Sequence, residues 1–484
     1  MMHWRAILSF TGAIIAAVGL FMLPALLCSI YYRDQAILAL SCSMVATTAI
    51  GLIMYLGWRK YIPETISHRK ALLIVALCWI SAGLFGAAPL YFGGAFNTFT
   101  DAFFESVSGF TTTGSSVLTD IEAVPPGLLF WRSLTQWLGG MGIIVFSVAI
   151  LPILGVGGMH LYKTEFSGGK QDRIKPRVRA AALSLWKIYL LFSMLLAALL
   201  LLGGMNLFDA LCHTFSTIST GGFSTKNLSM GHFQSVYLHV VVMVFMFLGA
   251  VNFALHSQAL RGRPLAFWRD SEARLFLFLI LACVTVITLT LWLSRTFASP
   301  LEALLSGAFN LISIITTTGF ATADYEAWPP LAKAVLFLAM FVGGCAGSTA
   351  GGVKCLRLQL MFKQIFRECF QIIHPHAIVQ VKMNGKAVEE KVLSGVWGFM
   401  GLFLVLYLAA SLLLTAMGLD LPTAFSATIA AMGNVGPGFG DVGPAENFAH
   451  LPVATKWLLS WCMLLGRLEL YALIIFLIPE FWRR

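Results

Sequence analysis

Of the chain's 484 residues 58% are hydrophobic and only 11% charged, with 38 Phe and 13 Trp and a mean hydropathy of +0.83. Soluble domains carry roughly a quarter of their residues as Asp, Glu, Lys and Arg, so this composition excludes a water-soluble fold and places the chain in a bilayer. A net charge of +10 would suit a nucleic-acid binder, but the excess sits in short inter-span loops, where topology and anionic membrane lipid account for it; no nucleic-acid partner is expected.

Apolar stretches run over 7–30, 36–57, 71–93, 128–154, 184–204, 235–256, 275–294, 331–349, 394–416 and 453–478. Most reach the roughly 20 residues that cross about 30 Å of hydrocarbon, so ten spans are expected in an all-α polytopic protein. The first is longer than a signal-peptide core, and no small-residue cleavage pattern follows it before Arg33, so it reads as a retained span. The segments 58–70, 153–180, 256–274 and 354–391 hold 21 of the 32 Lys and Arg, which puts them, and both termini, on the cytoplasmic side. The nine cysteines, Cys28, Cys42, Cys78, Cys212, Cys283, Cys345, Cys355, Cys369 and Cys462, form no C-x-x-C or metal-ligand cluster and read as small buried hydrophobes.

After an N-terminal hairpin of two spans (1–60), one grammar recurs four times: span, short apolar segment, Thr- or Gly-rich turn, span. The expected units are 61–165, 166–265, 266–370 and 371–484, arranged as pseudo-symmetric quarters around a central axis. Their turns are Thr111-Thr112-Thr113-Gly114, Ser219-Thr220-Gly221-Gly222, Thr316-Thr317-Thr318-Gly319 and Asn434-Val435-Gly436-Pro437-Gly438. Gly114, Gly221, Gly319 and Gly436 align as the common glycine. The short segments, about 101–110, 208–218, 306–316 and 423–433, are too short to span and read as re-entrant pore helices. Asp101, Ser306 and Thr423 are candidate caps, with a fourth start near Phe208 and Asp209. Non-helical backbone at membrane depth is tolerated only where it is buried in protein or lines water, and the negative carbonyl ends of four helices favour a cation between them.

A monovalent cation that sheds its hydration water needs oxygen ligands without a trapping charge, and backbone carbonyls with Thr hydroxyls supply them. No Asp or Glu lies within any turn, which favours a potassium-like ion, held at Thr112, Thr113, Ser219, Thr220, Thr317, Thr318, Asn434 and Val435. Ser219 and Val435 make the quarters chemically uneven. Nearby Asp120, Glu122, Asp324, Glu326, Asp441 and Glu446 either raise the local cation concentration or are ordinary solvated loop charges.

Two features mark the inner half of the path. The run Gly343-Gly344-Cys345-Ala346-Gly347-Ser348-Thr349-Ala350-Gly351-Gly352 weakens helix continuity and reads as a gating loop, with close helix packing as the alternative. Arg467, inside an apolar stretch, must face the bundle interior or water and would set an electrostatic barrier. Glu469 does not share its helix face, and Lys354 either reaches the inner path or snorkels to the interface. The histidines His160, His213, His232, His239 and His256 form no ligand motif, and nothing marks an enzyme or a nucleotide-binding domain.

The stretches FESVSGFTTTG ending at Gly114, STISTGG ending at Gly222, SIITTTGF ending at Phe320, AMGNVGPGFG ending at Gly440, GGCAGSTAGGVK ending at Lys354 and LLGRLE ending at Glu469 together resemble the TrkH potassium uptake membrane subunits of the Trk/Ktr/HKT cation transporter superfamily. The resemblance implies potassium uptake across the bacterial cytoplasmic membrane and a homodimer with one pore per subunit. It also implies a cytoplasmic ring of TrkA-like nucleotide-binding subunits, a filter at the four glycines, a gate at Gly343–Gly352 and a pore-facing Arg467. Glycine at position 114, where part of the plant branch has serine, favours potassium over sodium. The alternative is a symporter obligatorily coupled to H+ or Na+.

Overall fold

The computed structural model describes residues 4–62, 67–149 and 174–483. The basic segment expected at 153–180 falls outside these up to residue 173, as do His160 and the unit boundary expected at 165. The described residues are helical apart from connections and one small antiparallel hairpin, Lys382–Met383 with Lys386–Ala387. That hairpin turns on Asn384 and Gly385, both at positive φ, the Asn-Gly pair that tight hairpins favour.

The N-terminal hairpin comprises α1 (Trp4–Leu20), α2 (Leu23–Tyr32) and α3 (Ile37–Trp58). Its helices approach closely at small residues: a β-carbon on Gly12 would lie 2.8 Å from the Tyr55 backbone nitrogen. Long helices then alternate with short ones. The long α4 (His68–Phe92) precedes the short α5 (Phe99–Phe110) and α6 (Pro126–Ala149), and α7 (Ile174–Leu202) precedes α8 (Leu207–Ile218) and the bent pair α9 (Val236–Ala250) and α10 (Phe253–Leu260). Next come α11 (Ser271–Leu293), α12 (Pro300–Ile315), α13 (Pro330–Val342) and α14 (Cys355–Ile373), then α15 (Glu390–Ala416), α16 (Leu421–Met432), α17 (Val453–Arg467) and the short α18 (Tyr471–Ile474).

Among the described residues, not all of the ten expected spans form as continuous helices. Six helical stretches among these described residues are long and apolar enough to cross a membrane, and two bent pairs bring the number to eight. The remaining expected spans are 128–154, where α6 runs to the edge of the described residues, and 331–349, where the helix stops at Val342. Each break has a local cause. Gly343 takes φ 70°, which ends α13. The Asn252 side chain caps α10 by accepting from Ala254 N at 2.8 Å, so that helix restarts at 102° to α9. Glu469 and Leu470 adopt φ 63° and 53°, turning α17 into the next helix at 112°.

The short helices also begin elsewhere than expected. Their caps are Thr98, Asn206, Ser299 and Asp420, the first three accepting a backbone N–H through the side chain. Asp101 and Asp209 stand in the first turn, and their backbone N–H groups are the ones that Thr98 and Asn206 receive. Ser306 is mid-helix because Pro300, which suits a first helical position, starts α12 six residues earlier.

Candidate functional site: four turns and the loop beneath them

Each short helix runs by its C-terminus straight into one of the Thr- or Gly-rich turns, and the backbone fixes their register. The N–H of Thr113 bonds to Ser108 O, Gly221 to Ser216, Thr318 to Ser313 and Val435 to Ala430, each at 2.8 Å. The residue before each is left-handed, with φ of 51° at Thr112, 53° at Thr220, 56° at Thr317 and 52° at Asn434. The residue after each is a left-handed glycine, with φ of 88° at Gly114, 78° at Gly222, 85° at Gly319 and 108° at Gly436. Gly222, not Gly221, is therefore the counterpart of Gly114, Gly319 and Gly436. Gly221 takes the place of Thr113, Thr318 and Val435, and Ser219 that of Thr111, Thr316 and Gly433.

The four turns close on one another in sequence order. A β-carbon on Gly114 would run into the Gly221 carbonyl oxygen, one on Gly222 into that of Thr318, one on Gly319 into that of Val435, and one on Gly436 would lie 2.9 Å from that of Thr113. Glycine is thus required twice over at each place, for its left-handed backbone and for the neighbouring quarter's oxygen. The outer loops repeat the circuit. Asp120 accepts from the Asn227 amide at 2.9 Å, Gly231 N reaches Ala321 O at 3.0 Å, Glu326 accepts from Gly440 N at 2.6 Å, and Phe448 N reaches Ser116 O at 2.9 Å.

Behind the turns, side chains of the short helices hold the chain that follows each glycine. Glu105 accepts from Ser116 Oγ at 2.9 Å and Val117 N at 2.8 Å. His213 meets Ser224 Oγ at 3.0 Å, and Asp209 accepts from Thr225 Oγ1 at 2.5 Å. Asn310 binds Thr322 Oγ1 at 3.1 Å, and Ser426 accepts from Phe439 N at 2.9 Å. Glu105, His213 and Asn310 occupy equivalent helix positions, three residues before the serine that receives the turn N–H. Glu105 is further paired with Arg132 at 2.5 Å, both side chains almost wholly enclosed. Arg132 donates onward to Ser224 O at 2.9 Å and covers the Phe223 ring at 3.5 Å, so one ion pair braces the first turn against the second.

The small-residue run lies directly against the turns. Gly351 N donates to Thr317 Oγ1 at 2.7 Å, Gly352 N to Gly433 O at 2.8 Å, and the Thr349 hydroxyl to Ile218 O at 3.1 Å. Cys345 N reaches Ala250 O at 2.8 Å, seating the run on the broken end of α9. Gly347 and Gly352 share the positive φ of Gly343, so Gly343, Gly344, Cys345, Ala346, Gly347, Ser348, Thr349, Ala350, Gly351 and Gly352 form an irregular loop rather than a helix face. Arg467, 3% exposed, donates to Thr349 O at 2.8 Å and contacts Gly139 O at 3.5 Å. The two features read separately from the sequence therefore touch. Lys354 bonds to Ala350 O within the same loop, and Glu469 pairs with Arg357.

Sequence reasoning missed the supports. Glu105, Arg132, Gln136 and Glu272 contact partners distant in sequence, and the only local signal, for the three charged residues, was a charge inside an apolar helix. Four of the acidic residues expected to gather cations take part in loop bonding. Asp120 and Glu122 hold Asn227, Asp324 caps the turn at Tyr325, and Glu326 holds Gly440. Asn227 also keeps the Asp120 carboxyl below the usual carboxylate range. The cysteines divide: Cys212, Cys345, Cys355 and Cys462 are buried, whereas Cys42 and Cys369 are exposed.

Long apolar helices around a closed circuit of buried backbone turns define a polytopic membrane transport protein, a class in which irregular backbone at depth serves a polar path. The chain matches the family model for TrkH, a cation transport protein, over residues 44–484. It is 41% identical to the Trk system potassium uptake protein TrkH of Salmonella typhimurium and 40% to that of Escherichia coli K12, over 100% of both chains in each case. It superimposes on the crystal structure of the potassium transporter TrkH from Vibrio parahaemolyticus with a TM-score of 0.92 at 38% identity, covering 100% of each chain. The chain belongs to the TrkH family of the Trk/Ktr/HKT superfamily: it is a multi-pass protein of the bacterial inner membrane that transports potassium, and it is not an enzyme.

Proposed function

We propose that the four turns are a potassium-selective filter and that the loop Gly343–Gly352 is the gate beneath it. The observation that carries this reading is the closed circuit of left-handed glycines, each against the next quarter's carbonyl. Potassium sheds water against backbone oxygens at Thr112, Thr113, Thr220, Gly221, Thr317, Thr318, Asn434 and Val435, the corrected register replacing Ser219 by Gly221, with Gly114, Gly222, Gly319 and Gly436 allowing those carbonyls to line the path. Thr112 Oγ1 is enclosed without a hydrogen bond among the described residues, which leaves it free to face an ion. The carbonyl ends of α5, α8, α12 and α16 add negative potential there. The loop obstructs the inner side, and Arg467, bound to its Thr349 carbonyl, raises the barrier to a cation while the loop is in place.

The proposed assembly is a homodimer with one path per subunit, both termini cytoplasmic, controlled by a cytoplasmic ring of TrkA-like nucleotide-binding subunits; no nucleotide is bound by this chain itself. The proposed units remain 1–60, 61–165, 166–265, 266–370 and 371–484. Flux into proteoliposomes under imposed K+, Na+ and H+ gradients tests the reading. Rb+ and K+ entry that outpaces Na+ and needs no second ion is expected; obligatory dependence on H+ or Na+ would replace it with coupled symport.

A further inference from the structure

The second turn departs from the others by carrying Gly221 where they carry Thr113, Thr318 and Val435, and the structure shows what fills the space. Gln136, on α6 one helical turn after Arg132, is completely buried. Its Nε2 donates to Gly221 O at 2.6 Å, and its Oε1 accepts from Phe223 N at 3.1 Å, so one amide grips the backbone on both sides of Gly222. A β-carbon at Gly221 would fall 2.6 Å from Oε1 and 2.8 Å from Nε2. The amide thus stands where a threonine side chain stands in the first and third turns. Gly221 itself is outside the left-handed region, so its backbone does not demand glycine; the neighbouring amide does.

We propose that Gln136 is a specificity-determining residue of potassium transport, a fourth filter side chain supplied from another helix, which holds the Gly221 carbonyl in place. The inference rests on the filter reading above. The oxygens of Thr113, Thr318 and Val435 accept no side-chain hydrogen bond among the described residues, so the ring has three unrestrained carbonyls and one tethered. Discrimination between K+ and Na+ depends on how many carbonyls reach the ion and how far they can follow a smaller one. A tethered carbonyl cannot move inward onto Na+. Without the tether, a glycine with no side chain to brace it is the most mobile point of the ring.

Gln136→Leu keeps the bulk and removes both bonds. The expected result is a fall of about fivefold in the K+ to Na+ flux ratio of proteoliposomes, the factor one neutral hydrogen bond is worth, at wild-type protein abundance. Gly221→Thr alone should abolish assembly or transport, because the new side chain meets Gln136. The double variant Gln136→Ala with Gly221→Thr recreates in the second turn the side chain of the first and third, and should recover transport and a near wild-type ratio. A wild-type ratio in Gln136→Leu, or a double variant no better than Gly221→Thr alone, overturns the assignment and leaves the filter reading standing. Equal K+ and Na+ flux through the unmodified chain removes the filter reading and this inference together.

Discussion

Glu272 offers the most direct test of the gating reading, because a single carboxylate oxygen ties the loop at Ala346 to the start of the helix that follows it at Leu356. It stands second in α11, is 2% exposed, and its Oε1 accepts from Ala346 N at 2.7 Å and Leu356 N at 3.0 Å. Ala346 and Leu356 are themselves buried, so Glu272→Ala strands two donors that water does not reach. A stranded buried donor costs about 1–3 kcal/mol. With the low end of that range for each, the held arrangement loses about 2 kcal/mol, and its weight against a released one falls roughly 30-fold. Rb+ uptake into proteoliposomes containing the chain alone should therefore rise, by up to that factor where the loop limits flux. Glu272→Gln, which keeps one acceptor oxygen, should raise it less. Unchanged basal uptake in a Glu272→Ala protein of normal abundance, with unchanged response to the cytoplasmic ring, would refute the idea that this anchorage holds the gate.

Breaking the Glu105–Arg132 pair with Arg132→Met should destabilise the fold by about 3–5 kcal/mol, the cost of a buried charge left alone. The midpoint of thermal aggregation in detergent should fall accordingly, and Glu105→Gln with Arg132→Met should regain part of it. Gly114→Ser places a side chain against the Gly221 carbonyl, so the K+ to Na+ flux ratio should drop; an unchanged ratio in a folded variant would contradict the role given to the turns. Arg467→Ala should increase single-channel K+ conductance more than Lys354→Ala. Arg467 sits in the enclosed contact between loop and helix whereas Lys354 is only half-buried, and a charge acts more strongly where water is excluded. Dimer assembly measured alongside separates that result from collapse of the path.

How much of this could be read from the residues depended on the range of the interaction. The turns were legible because Thr111-Thr112-Thr113-Gly114 and its relatives interrupt apolar sequence, and such a break at depth demands a reason that local chemistry supplies. The register of the second turn was not, because Gly221 and Gly222 are adjacent and only the folded backbone tells them apart, through the 2.8 Å bond from Gly221 N to Ser216 O and the left-handed φ of Gly222. Hydropathy counted 453–478 as one span because it sums side chains and is blind to backbone, and the reversal at Glu469 and Leu470 leaves that sum unchanged. Arg467 was visible as a misplaced charge, whereas its partner Thr349 lies 118 residues away. Gln136 gave no signal at all. A glutamine in an apolar helix is unremarkable until the glycine it displaces a side chain from is seen beside it.

One chain supplies all four turns, and this changes the arithmetic of variation. In a ring of four identical subunits every substitution appears four times, so a small adjustment to a ligand becomes a large one to the ring, and a side chain that crowds the axis once crowds it from every direction. Here each position exists singly. The ring can lose a hydroxyl at Gly221, borrow an amide from Gln136 and keep valine at 435, across the circuit from it, while Thr113 and Thr318 stay as they are, so under the proposed filter reading its hold on the ion can be graded one oxygen at a time.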